Sequence, residues 1–319
     1  MTVISCMRFN DKEGAMVADE QSSVMGGNFR KYDLATKVYT LVDKENEKLI
    51  IGGTGATNFL HEAYKQALSS RKPEYSAKDT LQLLSSIFIK LRRDIIDGSL
   101  ISRFNCKEED ILRGTKYITD DKGEIRREEK LGELVKQKYQ EMLEHLEQGV
   151  FNSSFLSLSY DTNSTIEINH VSASSRKPMM ISQPYATTGT GADTADGILY
   201  NYFSLRDRNA RDNIDPLDGL ATLLYATALA SARNIGVGGT PFISMIIDGK
   251  IITPNENNSR LAVEIVRAAK NGYLNQEFQK EALKNLVYNG TEFKEVEKEM
   301  WRASSDIEKL SRMLRGYKE

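Results

Sequence analysis

The sequence predicts an α+β fold in which two sheets stack and helices cover both outer faces. Three observations predict it: strand signals come in two sets, helical periodicity follows each set, and the apolar runs are short and bounded by polar turns. With 319 residues, 40% of them apolar, the chain can bury a sizeable core in one large domain or two small ones.

The first set opens with TVISCMRF and GAMVADEQ, joined by the polar turn Asn10, Asp11, Lys12, Glu13. KVYTLV and KLIIGG follow, separated by a polar stretch from Asp43 to Glu47 that suits a reversal between strands. Helical periodicity then runs from Ala56 to Leu68 and from Ala77 to Ile96, where Leu81, Leu84, Phe88, Leu91 and Ile95 repeat at three to four residues. Residues 97–149 are charge-rich and read as an insertion, with a turn at Asp120 to Gly123 and a helix from about Glu128 to Gln148. That helix carries an apolar stripe of Leu131, Leu134, Val135, Met142, Leu143 and Leu146.

Strand signals resume with SSFLSLSY and STIEINHV and continue to YATTGTGADTADG, where a glycine-rich turn leads into an apolar run. A helix opens at Asp215, with Pro216 at its favoured first position, and stops at the glycines of NIGVGG. After the strand TPFISMIIDG the chain is polar and helix-periodic to its end, with Trp301 among charged positions, which reads as a helical tail.

Lys and Arg number 43 against 45 Asp and Glu, a balance that points to neither a nucleic-acid nor an anionic-membrane partner. Cys6 and Cys106 form no CxxC or metal-ligand pattern, which excludes a disulfide framework or structural zinc and fits a reducing cytoplasm. MTVISCMRFNDKEG lacks the features of a secretory signal, and no apolar run reaches membrane-spanning length, so a cytoplasmic protein is expected. His61, His145 and His170 lack ligand spacing and read as surface or packing residues, so no metal is expected. GGTGAT and GTGADTADG carry neither the P-loop lysine nor the full dinucleotide fingerprint, so no cofactor is expected.

Chemistry concentrates at the start. Thr2 is small enough for excision of Met1, which leaves a free α-amine beside a hydroxyl, nucleophile and base in one residue. An amine with a reference pKa of about 7.7 to 8.0 can take the hydroxyl proton directly or through water. Asp19, closing GAMVAD, and Lys37, opening KVYTLV, are the candidates for an ion pair that supports it.

Taken together, TVISCMRF, VADEQSS, KVYTLV and IIGGTGATNFLHEAYKQAL resemble the N-terminal half of a proteasome β-subunit or its bacterial two-component-protease relative. TTGTGADTADGIL is similar to the family's serine-glycine turn, and LLYATALASARNIGVGGTPFISMII to its long helix, turn and strand, so the resemblance covers roughly 2–96 and 150–250. It implies a four-layer αββα sandwich of the N-terminal nucleophile hydrolase type, with a discontinuous core of 2–96 and 150–255, an insertion at 97–149 and a helical extension over 256–319. It implies Thr2 as nucleophile, Asp19 as its acidic partner, Lys37 as the lysine that tunes the amine and Gly52 as an N–H donor to the oxyanion. Ser23 is implied to pair an extended substrate, with Ile50 and Thr54 lining the pocket for the side chain before the cut.

The family's turn serine falls on Thr190, its aspartate after the long helix on Asn234 and its following serine on Val237. Three functions stay open: a threonine peptidase acting on peptides or unfolded proteins, a connectase-like ligase passing the same ester to another amine, and a non-catalytic ring subunit. The resemblance also implies a homo-oligomeric ring, with an ATP-dependent unfoldase as a candidate partner.

Overall fold

The computed structural model describes residues 2–20, 22–24, 30–32, 37–119, 125–161, 165–234 and 237–315. The chain begins with β1 (Ile4–Arg8), β2 (Gly14–Asp19), the short pair β3 (Ser22–Val24) and β4 (Arg30–Tyr32), then β5 (Val38–Asp43) and β6 (Glu47–Thr54). Helices α1 (Thr57–Ser70) and α2 (Ala77–Phe104) follow. Next come α3 (Glu108–Arg113), β7 (Thr115–Thr119), β8 (Ile125–Lys130) and α4 (Glu133–Gln148). Strands resume as β9 (Ser154–Asp161), β10 (Glu167–Ser172), β11 (Met179–Ile181) and β12 (Tyr185–Thr188), before α5 (Ala192–Ser204), α6 (Arg208–Asp212) and α7 (Pro216–Arg233). The last strands, β13 (Pro241–Ile247) and β14 (Lys250–Ile252), lead to α8 (Glu256–Lys270), α9 (Gln276–Leu283) with a π-helical turn over Lys284–Tyr288, α10 (Phe293–Ala303) and α11 (Ile307–Arg315).

The strands form two five-stranded antiparallel sheets, ordered β12-β1-β2-β13-β14 and β11-β10-β9-β6-β5, so the fold is mixed α/β with antiparallel sheets and helices. Alternation along β1 gives the first sheet its two apolar faces. Ile4 and Cys6 meet Met16 and Ala18 of β2, and Ile50, Leu156 and Leu158 of the other sheet, in one buried cluster. Val3 and Met7 point the opposite way, into a cluster with Leu199 of α5 and Leu220 and Leu224 of α7. The second sheet turns Leu49, Ile51 and Phe155 outward onto Leu60 of α1 and Leu84 and Phe88 of α2. Phe88 stacks between Phe59 and Phe155, with ring centroids 5.3 and 5.5 Å away. Gly52 permits close approach of the sheets, since a Cβ there would lie 2.9 Å from both Ile4 Cγ2 and Met16 Sδ.

Caps explain where helices begin. Ser76 and Asp79 form a reciprocal capping box at the start of α2, and Asp215 accepts from the Asp218 N–H at the start of α7, with Pro216 next to it. The structure departs from the sequence reading at three places. Helix α2 does not end near Ile96 but runs to Phe104, because Ile96 and Leu100 continue its apolar face into a separate cluster with Cys106, Ile111, Leu131 and Phe151. Residues 128–130, expected to be helical, belong to β8, paired antiparallel with β7, and α4 starts at Glu133; the turn expected at Asp120 to Gly123 lies outside the described residues. Leu134, assigned to the apolar stripe, is 65% exposed.

The C-terminal tail, read from the sequence only as helical, packs into the core. Leu261, Ile265 and Val266 of α8, Leu283 of α9, Leu286 of the π-helical turn and Met300 of α10 join the cluster beneath the first sheet, and Trp301 packs against it. Among the described residues no helix is long and apolar enough to cross a membrane. Ile265→Ala removes a fully buried side chain and is expected to lower stability by about 2 to 5 kcal/mol, read from urea unfolding of the whole chain. A loss below about 0.5 kcal/mol, the range of surface substitutions, would show the tail to be peripheral.

Candidate active site

The site forms where the start of β1, the end of β2 and the approach to β5 converge. Strand β2 ends on Asp19, whose carboxylate turns back to the first residues: Oδ1 accepts from the Val3 N–H at 2.7 Å, while the Asp19 N–H donates to the Val3 carbonyl at 3.1 Å. Lys37 Nζ donates to the same Oδ1 at 2.8 Å, and the Gly238 N–H, from the segment after α7, reaches Oδ2 at 3.2 Å. The Lys37 backbone is fixed as well, its carbonyl accepting from the Gly53 N–H at 2.8 Å.

The pair is taken out of water, with side-chain exposures of 8% for Lys37 and 1% for Asp19. Burial pushes the Asp19 carboxyl above its ordinary range, opposed by the attraction and hydrogen bond of Lys37 and by the Val3 and Gly238 N–H groups. Burial likewise pushes the Lys37 ammonium below its ordinary value, opposed first by Asp19. The neighbouring Glu20 is raised by burial and then by the charge of Glu256.

Thr2 is held from the other side by the turn between β12 and α5. The register pairs Ile4 with Thr188, and the Gly191 N–H donates to the Thr2 carbonyl at 3.1 Å. Gly189 sits at φ +100°, and a Cβ there would stand 2.3 Å from the Thr2 oxygen, so the turn needs glycine both for its backbone and for closeness to residue 2. Thr190 is exposed beside it. Met1, whose removal the sequence reading requires, lies outside the described residues.

The remaining expected residues occupy different settings. Gly52 lies within β6, opposite Val38 and Leu156. Ser23 pairs with Lys31 between β3 and β4. Ile50, expected to line a substrate pocket, instead has its whole side chain in the cluster between the sheets, because β6 is an interior strand with both faces covered. Thr54 ends β6 with its hydroxyl 3.2 Å from Ser154 Oγ and 3.1 Å from Thr188 Oγ1, joining the two sheets at this end. Asn234 caps α7: its Nδ2 donates to the Ala230 carbonyl at 2.9 Å and to Thr194 Oγ1 of α5 at 3.2 Å. Val237 is buried in the cluster under the first sheet.

A cleft of about 620 Å³ opens at the turn, lined by Thr54, Ser154, Thr188, Gly189, Thr190 and His170, with Phe151 and Met179 among its other lining residues. His170 was read from the sequence as a surface or packing residue; burial pushes its imidazole below its ordinary value. Nothing in the spacing of STIEINHV marks it, since its place depends on β10 lying beside β9. A second cavity, of about 360 Å³, reaches Asp19 from the side of α7 and α8, between Thr227, Ser231, Arg260 and Glu264.

No family model matches the sequence, and no curated protein matches it. Among solved structures the chain is similar to Anbu, the ancestral beta-subunit, from Yersinia bercovieri, with a TM-score of 0.56 and 10% identity over 85% of this chain and 94% of that one. It is equally similar to an Anbu mutant from Hyphomicrobium sp. strain MC1, at 0.56 and 10% over 88% and 97%. These findings correct the family assignment drawn from the sequence blocks. The neighbours are proteasome-like but belong to a family distinct from the β-subunits and two-component proteases that the blocks resemble, and at this identity the likeness carries the fold alone. The blocks report strand order and turn spacing, which an architecture imposes on every family that uses it.

For Asp19 the folded-state value lies above the unfolded one, so its contribution to stability is full at low pH and is lost as pH rises through the raised value. For Lys37 the folded value lies below the unfolded one, so its contribution is present at high pH and is lost as pH falls through the lowered value. Lys37→Met leaves the Asp19 carboxylate buried without a cation and is expected to cost about 3 kcal/mol at neutral pH. The deficit should shrink as the carboxyl takes up a proton, read from urea midpoints between about pH 8 and 5. A deficit that grows on acidification would contradict the assigned charge states.

Proposed function

We propose that the chain is a threonine-type hydrolase that cleaves peptide bonds through an ester on Thr2, formed once Met1 has been removed. The observation that carries this reading is the clamp on the first residues: Val3 bonded to the buried Asp19–Lys37 pair on one side and the Thr2 carbonyl bonded to Gly191 on the other. A structural ion pair has no need to hold the residue next to a threonine beside an open cleft, whereas a nucleophile at Thr2 must be both held and reached.

In this reading the Thr2 hydroxyl oxygen attacks the peptide carbonyl carbon and its proton passes to the α-amine. The tetrahedral oxyanion is met by the Gly52 N–H as candidate donor. The carbon–nitrogen bond breaks, the leaving amine takes the proton, and water then hydrolyses the ester to return the hydroxyl. Lys37, held by Asp19, supplies positive charge that disfavours protonation of the amine. Thr190 and the Asn234–Thr194 bond support the turn that seats Thr2, while Ser23 and Thr54 are the candidate contacts to an extended peptide.

The same reading takes the two sheets and their helices as a four-layer αββα sandwich of 2–96 and 150–255, with 97–149 inserted and 256–319 added. The neighbours' description as beta-subunits favours assembly into a homo-oligomer.

Hydrolysis of a fluorogenic peptide library tests the reaction. Thr2→Ala is expected to lose roughly a thousandfold or more in rate, as removal of a nucleophile does, and Thr2→Ser to keep measurable turnover. Equal hydrolysis by the wild type and Thr2→Ala would overturn the proposal.

A further inference from the structure

We infer that the cleft beside the Thr188–Thr190 turn is a substrate subsite selective for uncharged polar side chains, those of Ser, Thr, Asn and Gln, with His170 setting the selection. The inference rests on the proposed hydrolase reading and adds to it a substrate class.

The cleft and the candidate nucleophile share a wall. Gly189 lines the cleft and also crowds the Thr2 carbonyl, while Gly191, just beyond, bonds it. A peptide lying in the cleft therefore passes close to residue 2. At about 620 Å³ the space is large enough for several side chains.

Hydroxyls make up most of its polar lining, with Phe151 and Met179 as its apolar members. Hydroxyls come from Thr54 at the end of β6, from Ser153 and Ser154 at the start of β9, from Thr188 and Thr190 at the turn, from Ser172 at the end of β10 and from Ser174 just beyond it. Among the described residues that line it, none is Asp, Glu, Lys or Arg. Hydroxyls rotate to donate or to accept, so such a wall satisfies amide and hydroxyl groups in either sense. Several already do so for one another: Thr54 with Ser154 and Thr188, and Ser172 with Ser174 at 2.9 Å.

A charged side chain entering this wall leaves water without meeting an opposite charge, and a large apolar one covers hydroxyls that then lose hydrogen-bonding water. Among the described residues that line the cleft His170 is the one ionisable group, and as a neutral ring it offers one donor and one acceptor, matching an amide or hydroxyl and favouring neither sign of charge.

The test measures binding apart from turnover. Fluorescein-labelled peptides of one length, with a single Ser, Gln, Lys, Glu or Leu moved along an otherwise Gly-Ala sequence, are titrated into the full-length Thr2→Ala protein and followed by anisotropy. At one or more positions Ser and Gln peptides are expected to bind about tenfold tighter than Lys, Glu or Leu peptides, the discrimination one hydrogen bond can carry. His170→Asp puts a carboxylate on the wall and should raise the affinity of the Lys peptide by about tenfold. Ser174→Asp, at an exposed rim position, makes the same test should His170→Asp not fold. Preference for Lys, Glu or Leu in the parent, a profile flat at every position, or Lys affinity unmoved by Ser174→Asp would overturn the inference. Selective binding by a chain whose wild type hydrolyses no peptide would instead count against the hydrolase reading and leave the subsite standing.

Discussion

The ion pair between Lys37 and Asp19 is the constraint on which the arrangement of this end of the molecule depends. Two charges withdrawn from water carry a desolvation cost that their mutual attraction offsets only with good geometry and additional hydrogen bonds. Here Asp19 has them: one oxygen takes Lys37 and the Val3 N–H, and the other takes the Gly238 N–H. Four stretches of chain distant in sequence are thereby fixed to one carboxylate: the start of β1, the end of β2, the approach to β5 and the segment after α7. Thr2 is held beside the point where those stretches meet.

The sheets behind the pair keep it in place. Cys6 and Ile50 are as deeply buried as any residue in the chain, and Gly52 lets the two sheets approach at the strand that carries Thr54 to the cleft. The turn of Gly189 and Gly191 completes the seat from the β12 side, and Asn234 steadies it at one remove by tying the end of α7 to Thr194 in the first turn of α5. Residues that departed from the pattern the sequence resembles thus have visible structural work: Asn234 as a cap and bridge, Val237 as part of the apolar cluster.

Much of the fold was legible because its signals are local. The polar turn after Arg8, the reversal between β5 and β6, the SSFLSLSY strand and the Pro216 helix start each follow from a few neighbouring residues. What was not legible depends on partners far along the chain. Leu100 extends α2 only because Ile111 and Phe151 fold over it, residues 128–130 become a strand because β7 lies alongside, and the polar-looking tail hides an apolar face matched to the first sheet. The same holds at the site. Thr2, Asp19 and Lys37 stand at strand ends that sequence can locate, whereas Ile50 was misplaced because burial on both faces of β6 cannot be read from β6 itself. The place of His170 at the cleft was not legible because only sheet order brings it there. The family assignment failed for a related reason, since block order follows architecture and architecture is shared more widely than family.

The central claim is that Thr2 becomes the terminal residue and that its hydroxyl reacts. The most direct measurement is the intact mass of the purified protein before and after treatment with a β-lactone, with the adduct mapped by peptide sequencing. A chain lacking Met1 and carrying one adduct on Thr2 is the predicted result. A chain that retains Met1 and gains no adduct, or gains it elsewhere, would contradict the account.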